Sequence, residues 1–168
     1  MDIFRHGCPC VCIGDNVVKT MLFRLVEKTL NYARKKSPWF LHLDTGGCNG
    51  CSIELFAVLN PRYDIERFGG LSKANPRHTD ILLIDGAVTK KIRPRLERIY
   101  QQTPEPKVVV AVGSCAISKG IFHDAYNIDG PLDKIMPVDV YIPGCPPKPE
   151  AILQGVIKAL QLWEEKHE

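Results

Sequence analysis

Two segments of this chain, DILLID (80–85) and KVVVAVG (107–113), are apolar on both faces, and they limit the fold more than anything else in the sequence. A strand with one wet face alternates apolar and polar residues. A strand covered on both faces runs continuously apolar, as in a parallel sheet under helices. WFLHLD (39–44), YDIERF (63–68) and VDVYIP (138–143) read as three further strands. Helical patterns lie between them. Ser52 to Leu59 is closed by Asn60-Pro61, and Ile92 to Gln101 carries Arg/Glu spacing. Pro149 opens a last helix to about Lys166, with Ile152, Leu153, Val156, Leu160 and Trp163 on one stripe. The alternation predicts an α/β fold, a parallel sheet with helices on both faces.

Ahead of this region, residues 1–14 have no period and read as an irregular lead-in. From Asp15, an N-cap, Val17, Val18, Met21, Leu22, Leu25, Val26, Leu30 and Ala33 recur at helical spacing, and Ser37-Pro38 ends the pattern. The division is therefore 1–37, an arm with an amphipathic helix, and 38–168, the α/β domain. The helix has a basic face and also carries Phe23 on its polar side, which favours protein contact, with another subunit or with the domain's own sheet, over direct lipid contact.

A net charge of +3 makes no case for nucleic acid. The longest apolar run, Val108 to Val112, is far short of the roughly 20 residues that span a bilayer. The N-terminus has neither a secretory pattern nor a twin-arginine signal. Seven cysteines without an export signal point to a reducing cytosol, where thiols bind metal or do redox chemistry more often than they form bridges.

Four of those cysteines sit on glycine-containing turns: Cys48 and Cys51 in GGCNGCSIEL, Cys115 in AVGSCAISKG, and Cys145 in YIPGCPPKPE. In a parallel α/β sheet, ligands collect at the carboxyl ends of strands, and Cys48, Cys115 and Cys145 all follow strands. Four thiols distant in sequence are thus expected on one edge. Such a quartet suits a 4Fe–4S cluster. A structural zinc ion also takes four thiolates, usually from two close pairs, and buried free thiols are the third reading. No nucleophile–base–orienter set accompanies the cysteines.

GCNGCSIEL, NPRHTDILLIDGAVT, TPEPKVVVAVGSCAISKGIF and PVDVYIPGCPPKPEAIL resemble the small subunit of energy-converting nickel–iron hydrogenases. They also resemble the homologous cluster-bearing 20 kDa-type subunit of respiratory complex I. The resemblance runs from about Trp39 to Leu160. It implies a flavodoxin-like fold and one 4Fe–4S cluster on Cys48, Cys51, Cys115 and Cys145, next to the active site of an adjoining large subunit. The Cys48-Asn49-Gly50-Cys51 spacing is that of the hydrogenases, where complex I subunits carry two adjacent cysteines. No cysteine follows Cys145, which favours the membrane-bound, one-cluster branch. Sulfane sulfur reductases and complex I quinone oxidoreductases remain alternatives, and a non-redox zinc scaffold is a remote one. By this resemblance the chain receives electrons from a ferredoxin-type cluster subunit and passes them to the large subunit for hydrogen evolution coupled to ion translocation. It would lie peripherally on the cytoplasmic side of the cell membrane, against ion-translocating subunits.

Other residues carry weaker signals. In the family an acidic residue near the second cysteine is placed at the large-subunit interface and is proposed to pass protons. Glu54 fits that position, or is simply a glutamate favoured by a helix N-terminus. Arg77, His78 and His123 are loop residues that would tune the cluster if they approach it, and are otherwise solvated or at a subunit contact. Cys8, Cys10 and Cys12 form CPCVC, which has no counterpart in the family motifs; they read as reduced thiols on an irregular arm, with a metal or persulfide site as the other reading.

Overall fold

The computed structural model describes Val26 and residues 37–166 of the 168. The N-terminal arm, CPCVC and nearly all of the amphipathic helix lie outside the described residues. Residues 37–166 belong to one compact unit, Arg34–Glu168.

Seven strands and four helices appear in that unit. The strands are β1 (Trp39–Asp44), β2 (Leu71–Ser72), β3 (Ile81–Asp85), β4 (Val88–Thr89), β5 (Val108–Val112), β6 (Ile128–Gly130) and β7 (Val140–Ile142). The helices are α1 (Gly50–Val58), α2 (Arg93–Gln102), α3 (Gly113–Ser118) and α4 (Pro149–Glu165). The main sheet has the order β2-β1-β3-β5-β7, and all its pairings are parallel. Counting only its own strands in chain order, this is 2-1-3-4-5, the doubly wound flavodoxin-like order. A separate antiparallel pair, β4 with β6, stands beside it.

Every residue of β3 and β5 is buried. The pleat sends alternate side chains to opposite faces. Ile81, Leu83, Val108, Val110 and Val112 pack with Leu55 and Val58 of α1 and with Ile152, Val156, Ala159 and Trp163 of α4. Leu82, Ile84, Val109 and Ala111 pack on the other face, with Leu96 of α2 and Ala116 of α3. The continuous apolar runs thus serve two cores. On α4 the buried stripe is Ile152, Gly155, Val156, Ala159 and Trp163, while Leu153 and Leu160 lie at its margin, partly buried.

One expected strand is absent. YDIERF (63–68) is not extended: Ile65–Phe68 is a 3₁₀ turn. Asp64, at φ 45°, and Gly69, at φ 87°, are both left-handed and bend the chain out of line. Arg67 N–H bonds to the Asp64 carbonyl, and Gly69 N–H to that of Glu66. Among the described side chains of this stretch, Ile65 sits in the core. A short polar–apolar alternation fits a tight turn as well as a strand. The edge strand instead comes after the Gly69-Gly70 pair, where Leu71 and Ser72 pair with Trp39 and Phe40. Among the described helices none is long and apolar enough to cross a membrane.

Trp163 is 1% exposed and donates its indole N–H to the Pro106 carbonyl at 3.1 Å. Trp163→Ala is expected to cost about 3–5 kcal/mol of stability, measured by urea unfolding.

Candidate metal centre

The parallel register brings the carboxyl ends of β1, β3, β5 and β7 to one edge, and the loops leaving them form an open cleft of about 330 Å³. Cys48, Cys51, Cys115 and Cys145 all line it, with Asp85, Ser114 and Pro146 among their neighbours. Each thiol arrives on a different structural device. Cys48 is on the loop after β1. There the Asp44 carboxylate accepts from Gly46 N–H at 2.9 Å and Gly47 N–H at 3.0 Å, folding the chain back tightly. Asn49 then takes a left-handed φ of 64°, which asparagine tolerates well, and its carbonyl accepts from Ile53 N–H to start α1. Cys51 lies in the first turn of that helix.

Cys115 was expected on a turn after β5; it lies instead within the short helix α3. Gly113 makes this possible. Its φ is 83°, and a Cβ there would sit 2.5 Å from Cys51 Sγ. The position therefore both turns the chain and leaves room for a thiol from another loop. Ser114 ties the third and fourth cysteine loops together: its N–H and its hydroxyl both donate to the Gly144 carbonyl, at 2.8 and 3.0 Å. Gly86 does the same for the loops after β1 and β3, since a Cβ on it would meet Gly47 N at 2.6 Å. Cys145 follows Gly144 and precedes a cis peptide bond to Pro146.

Cys48 and Cys145 are exposed, Cys51 is half-buried and Cys115 is buried. Burial pushes the Cys51 thiol up to about 11, helped by the negative charge of Asp85 and then by Cys115, Cys145 and Cys48. Cys115 is raised too, first by burial, then by Cys145, Cys48 and Asp85. The mutual influence shows that the four sulfurs occupy one electrostatic neighbourhood. Among the described residues, no three His, Cys, Asp or Glu side chains meet closely enough to clasp a single metal ion. The thiols ring the cleft without converging on a point.

A buried polar cluster beside them was not foreseen from the sequence. Asp85, at the end of β3, is 2% exposed. Ser52 Oγ donates to its Oδ2 at 2.6 Å and His42 Nε2 donates to its Oδ1 at 3.0 Å. The signal was the carboxylate of Asp85 at the carboxyl end of the apolar run Ile81–Ile84. The carboxylate lies between serine and histidine, so the imidazole does not touch the hydroxyl and the order is not that of a serine–histidine–acid relay. His42 also meets the Phe56 ring edge-on, centroids 5.7 Å apart.

The other expected site residues fall elsewhere. Glu54 is half-buried in α1, one turn beyond Cys51. Arg77 and His78 lie in a 3₁₀ turn leading into the amino end of β3, and His78 packs edge-on against Trp39, the first residue of β1. That is the opposite end of the sheet from the cysteines, and neither residue lines the cleft. His123 does not line the cleft. It is exposed, and its Nε2 lies 2.8 Å from a carboxylate oxygen of the exposed Asp124.

A doubly wound α/β sheet with four cysteines around the cleft at its carboxyl edge is the class that fold and site define. The chain belongs to the family of the NADH ubiquinone oxidoreductase 20 Kd subunit, whose model matches residues 48–159, all four cysteines included. It is 52% identical over 126 residues to a probable membrane-bound hydrogenase subunit of Pyrococcus furiosus, covering 75% of each chain. It is 47% identical over 161 residues to formate hydrogenlyase subunit 7 of Escherichia coli, covering 96% of this chain and 61% of that one. Among solved structures, a chain of an archaeal membrane-bound sulfane sulfur reductase matches with a TM-score of 0.70 and 46% identity, covering 82% of this chain and 76% of that one.

In the metal-free protein, the exposed Cys48 and Cys145 are expected to be alkylated well before Cys51 and Cys115. Cys51 labelling should accelerate as pH rises toward its raised value, because the thiolate is the nucleophile. Mass-spectrometric mapping of the labelled cysteines over a pH series checks both.

Proposed function

We propose that this chain is the electron-transfer subunit of a membrane-bound, complex I-like nickel–iron hydrogenase. In this reading Cys48, Cys51, Cys115 and Cys145 hold one 4Fe–4S cluster. The observation that carries it is the meeting of four sequence-distant thiols around one cleft. A cubane cluster takes one thiolate at each of four separate irons, which suits thiols that ring a space; zinc takes all four at roughly 2.3 Å from a single point. Gly113 supports the same conclusion, since it clears the volume occupied by Cys51 Sγ.

Such a cluster supplies one-electron storage between a donor and an acceptor. The chain's own residues hold and shield it. Cys115 and Cys51 enclose one side, while Cys48 and Cys145 face outward. Ile53 and Phe56, 65% and 55% exposed on the helix that carries Cys51, and Ile121, 75% exposed beside the Cys115 loop, leave an apolar rim. A large, active-site subunit seated there would exclude water from the exposed thiolates. Glu54, on the same helix as Ile53 and Phe56, is then placed to pass protons across that contact. In this reading electrons come from a ferredoxin-type cluster subunit, and the large subunit evolves hydrogen with ion translocation by membrane subunits. The chain would sit peripherally on the cytoplasmic side, with the N-terminal helix against the membrane subunits.

The Cys48-Asn49-Gly50-Cys51 spacing and the 52% identity to the Pyrococcus hydrogenase subunit favour the hydrogenase. The likeness to the sulfane sulfur reductase chain supports a second reading, with the same electron path and a different terminal reaction. Metal analysis of the intact complex, purified anaerobically through a tag on this chain, separates the two. Iron with stoichiometric nickel supports the hydrogenase, iron without nickel supports the second reading, and zinc without iron refutes both. Cys115→Ser and Cys145→Ser are each expected to lose or degrade the cluster and to abolish electron delivery. Gly113→Ala should lower cluster content without removing any ligand, by driving a methyl into Cys51. Iron content and the reduced-state electron paramagnetic resonance signal report all three.

A further inference from the structure

The cysteine cleft contains a buried anion that the ligand set does not require. Asp85 lines the cleft and is 2% exposed, and both of its oxygens are engaged from one side, by Ser52 on α1 and His42 on β1. Ser52 directly follows Cys51, so the carboxylate grips the same helical turn that presents a thiol. His42 and Asp85 lie on the sheet face covered by α1, as the alternation from Phe40 and from Ile81 and Leu83 requires. Burial of a carboxylate is costly unless it is well hydrogen-bonded, and two donors at 2.6 and 3.0 Å provide that.

We propose that Asp85, held by Ser52 and His42, is a fixed negative charge that lowers the reduction potential of the metal centre on the four cysteines. This rests on the reading that those cysteines hold an iron–sulfur cluster. Reduction adds negative charge to the cluster. A neighbouring anion in a poorly solvated site disfavours that added charge, so the couple moves to lower potential. A low potential is what a centre needs in order to pass electrons to protons. The neighbours split the work: Ser52 and His42 hold the carboxylate in place, and the carboxylate supplies the field.

The test is a redox titration of the intact, anaerobically purified complex, following the cluster's resonance signal. Asp85→Asn has the same shape and still offers an oxygen to Ser52, so a purely structural role leaves the potential in place. The expected result is an upward shift of the midpoint potential; an unchanged or lower potential overturns the proposal. If Asp85→Asn assembles without a cluster, His42→Lys is decisive. Position 42 has a side chain 15% exposed, within reach of solvent for a lysine stem, and a permanent cation there pairs with the carboxylate and neutralises its field. The same upward shift supports the proposal, and an unmoved potential refutes it. Failure of the underlying reading looks different: the wild-type complex would then contain no iron and give no signal to titrate.

Discussion

Everything at the cleft depends on β3 being paired in parallel on both sides. Its five residues align one for one with β1 and with β5, and β5 aligns with β7. Four strands therefore release their chains at one level, and each of the loops leaving them must turn within a few residues. Those loops, and the helices α1 and α3 that open from them, carry all four thiols. A parallel ladder is stable only when both faces are covered, so the two apolar cores are a condition for the site and not merely a support beneath it. A register slip of one residue in β5 would exchange Val110 and Val112 with Val109 and Ala111 between the two cores, and would also carry Cys115 away from the other thiols.

The parts that sequence conveys well are the ones with strong, long-range physical patterning. The fully apolar runs identify β3 and β5 to within a residue at each end, and Trp39–Asp44 is a strand with the expected bounds. Helices α1, α2 and α4 are displaced from expectation by at most two residues at either end. The convergence of the cysteines follows from the parallel topology together with the family motifs. What fails is local. YDIERF has a polar–apolar alternation that a strand and a tight turn share, and the left-handed backbone at Asp64 and Gly69 decides between them. The β4–β6 pair is two short segments joined across the chain, below the length at which periodicity carries information. Residue type alone suggests Arg77 and His78; their position at the amino end of β3 depends on strand direction, which places them away from the cysteines.

The electrostatics of the cleft are coherent only around a positive centre. Four thiols and a carboxylate line one cleft, and burial first, then the neighbouring anions, raises the cost of ionising Cys51 and Cys115. Without metal, the site keeps its buried thiols protonated. A metal bound by these thiols would reverse this, because metal binding favours the thiolate and releases the proton. The loops are nevertheless held without metal, by Asp44 on Gly46 and Gly47, by Ser114 on Gly144, and by the Gly86–Gly47 contact. The scaffold thus fixes the geometry, while the chemistry of the donors sets what can enter.

Asp85 shows how the two cores and the site are connected. An apolar residue at the end of β3 would have continued the run and cost nothing to bury. A carboxylate there demands two donors, and both come from the elements flanking the cleft, Ser52 from the helix that presents Cys51 and His42 from the strand that leads to Cys48. Sheet and helix are thereby joined by polar contacts at the one end of the layer where apolar packing gives way to thiols. A buried charge is weak evidence for stability, so its presence beside the thiols is better explained by the field it exerts on them. Burial first, and Asp85 after it, raises the half-buried Cys51 thiol. On the proposal above, Asp85 is the point through which a change in the helix–sheet contact would be felt at a metal held by the four thiols.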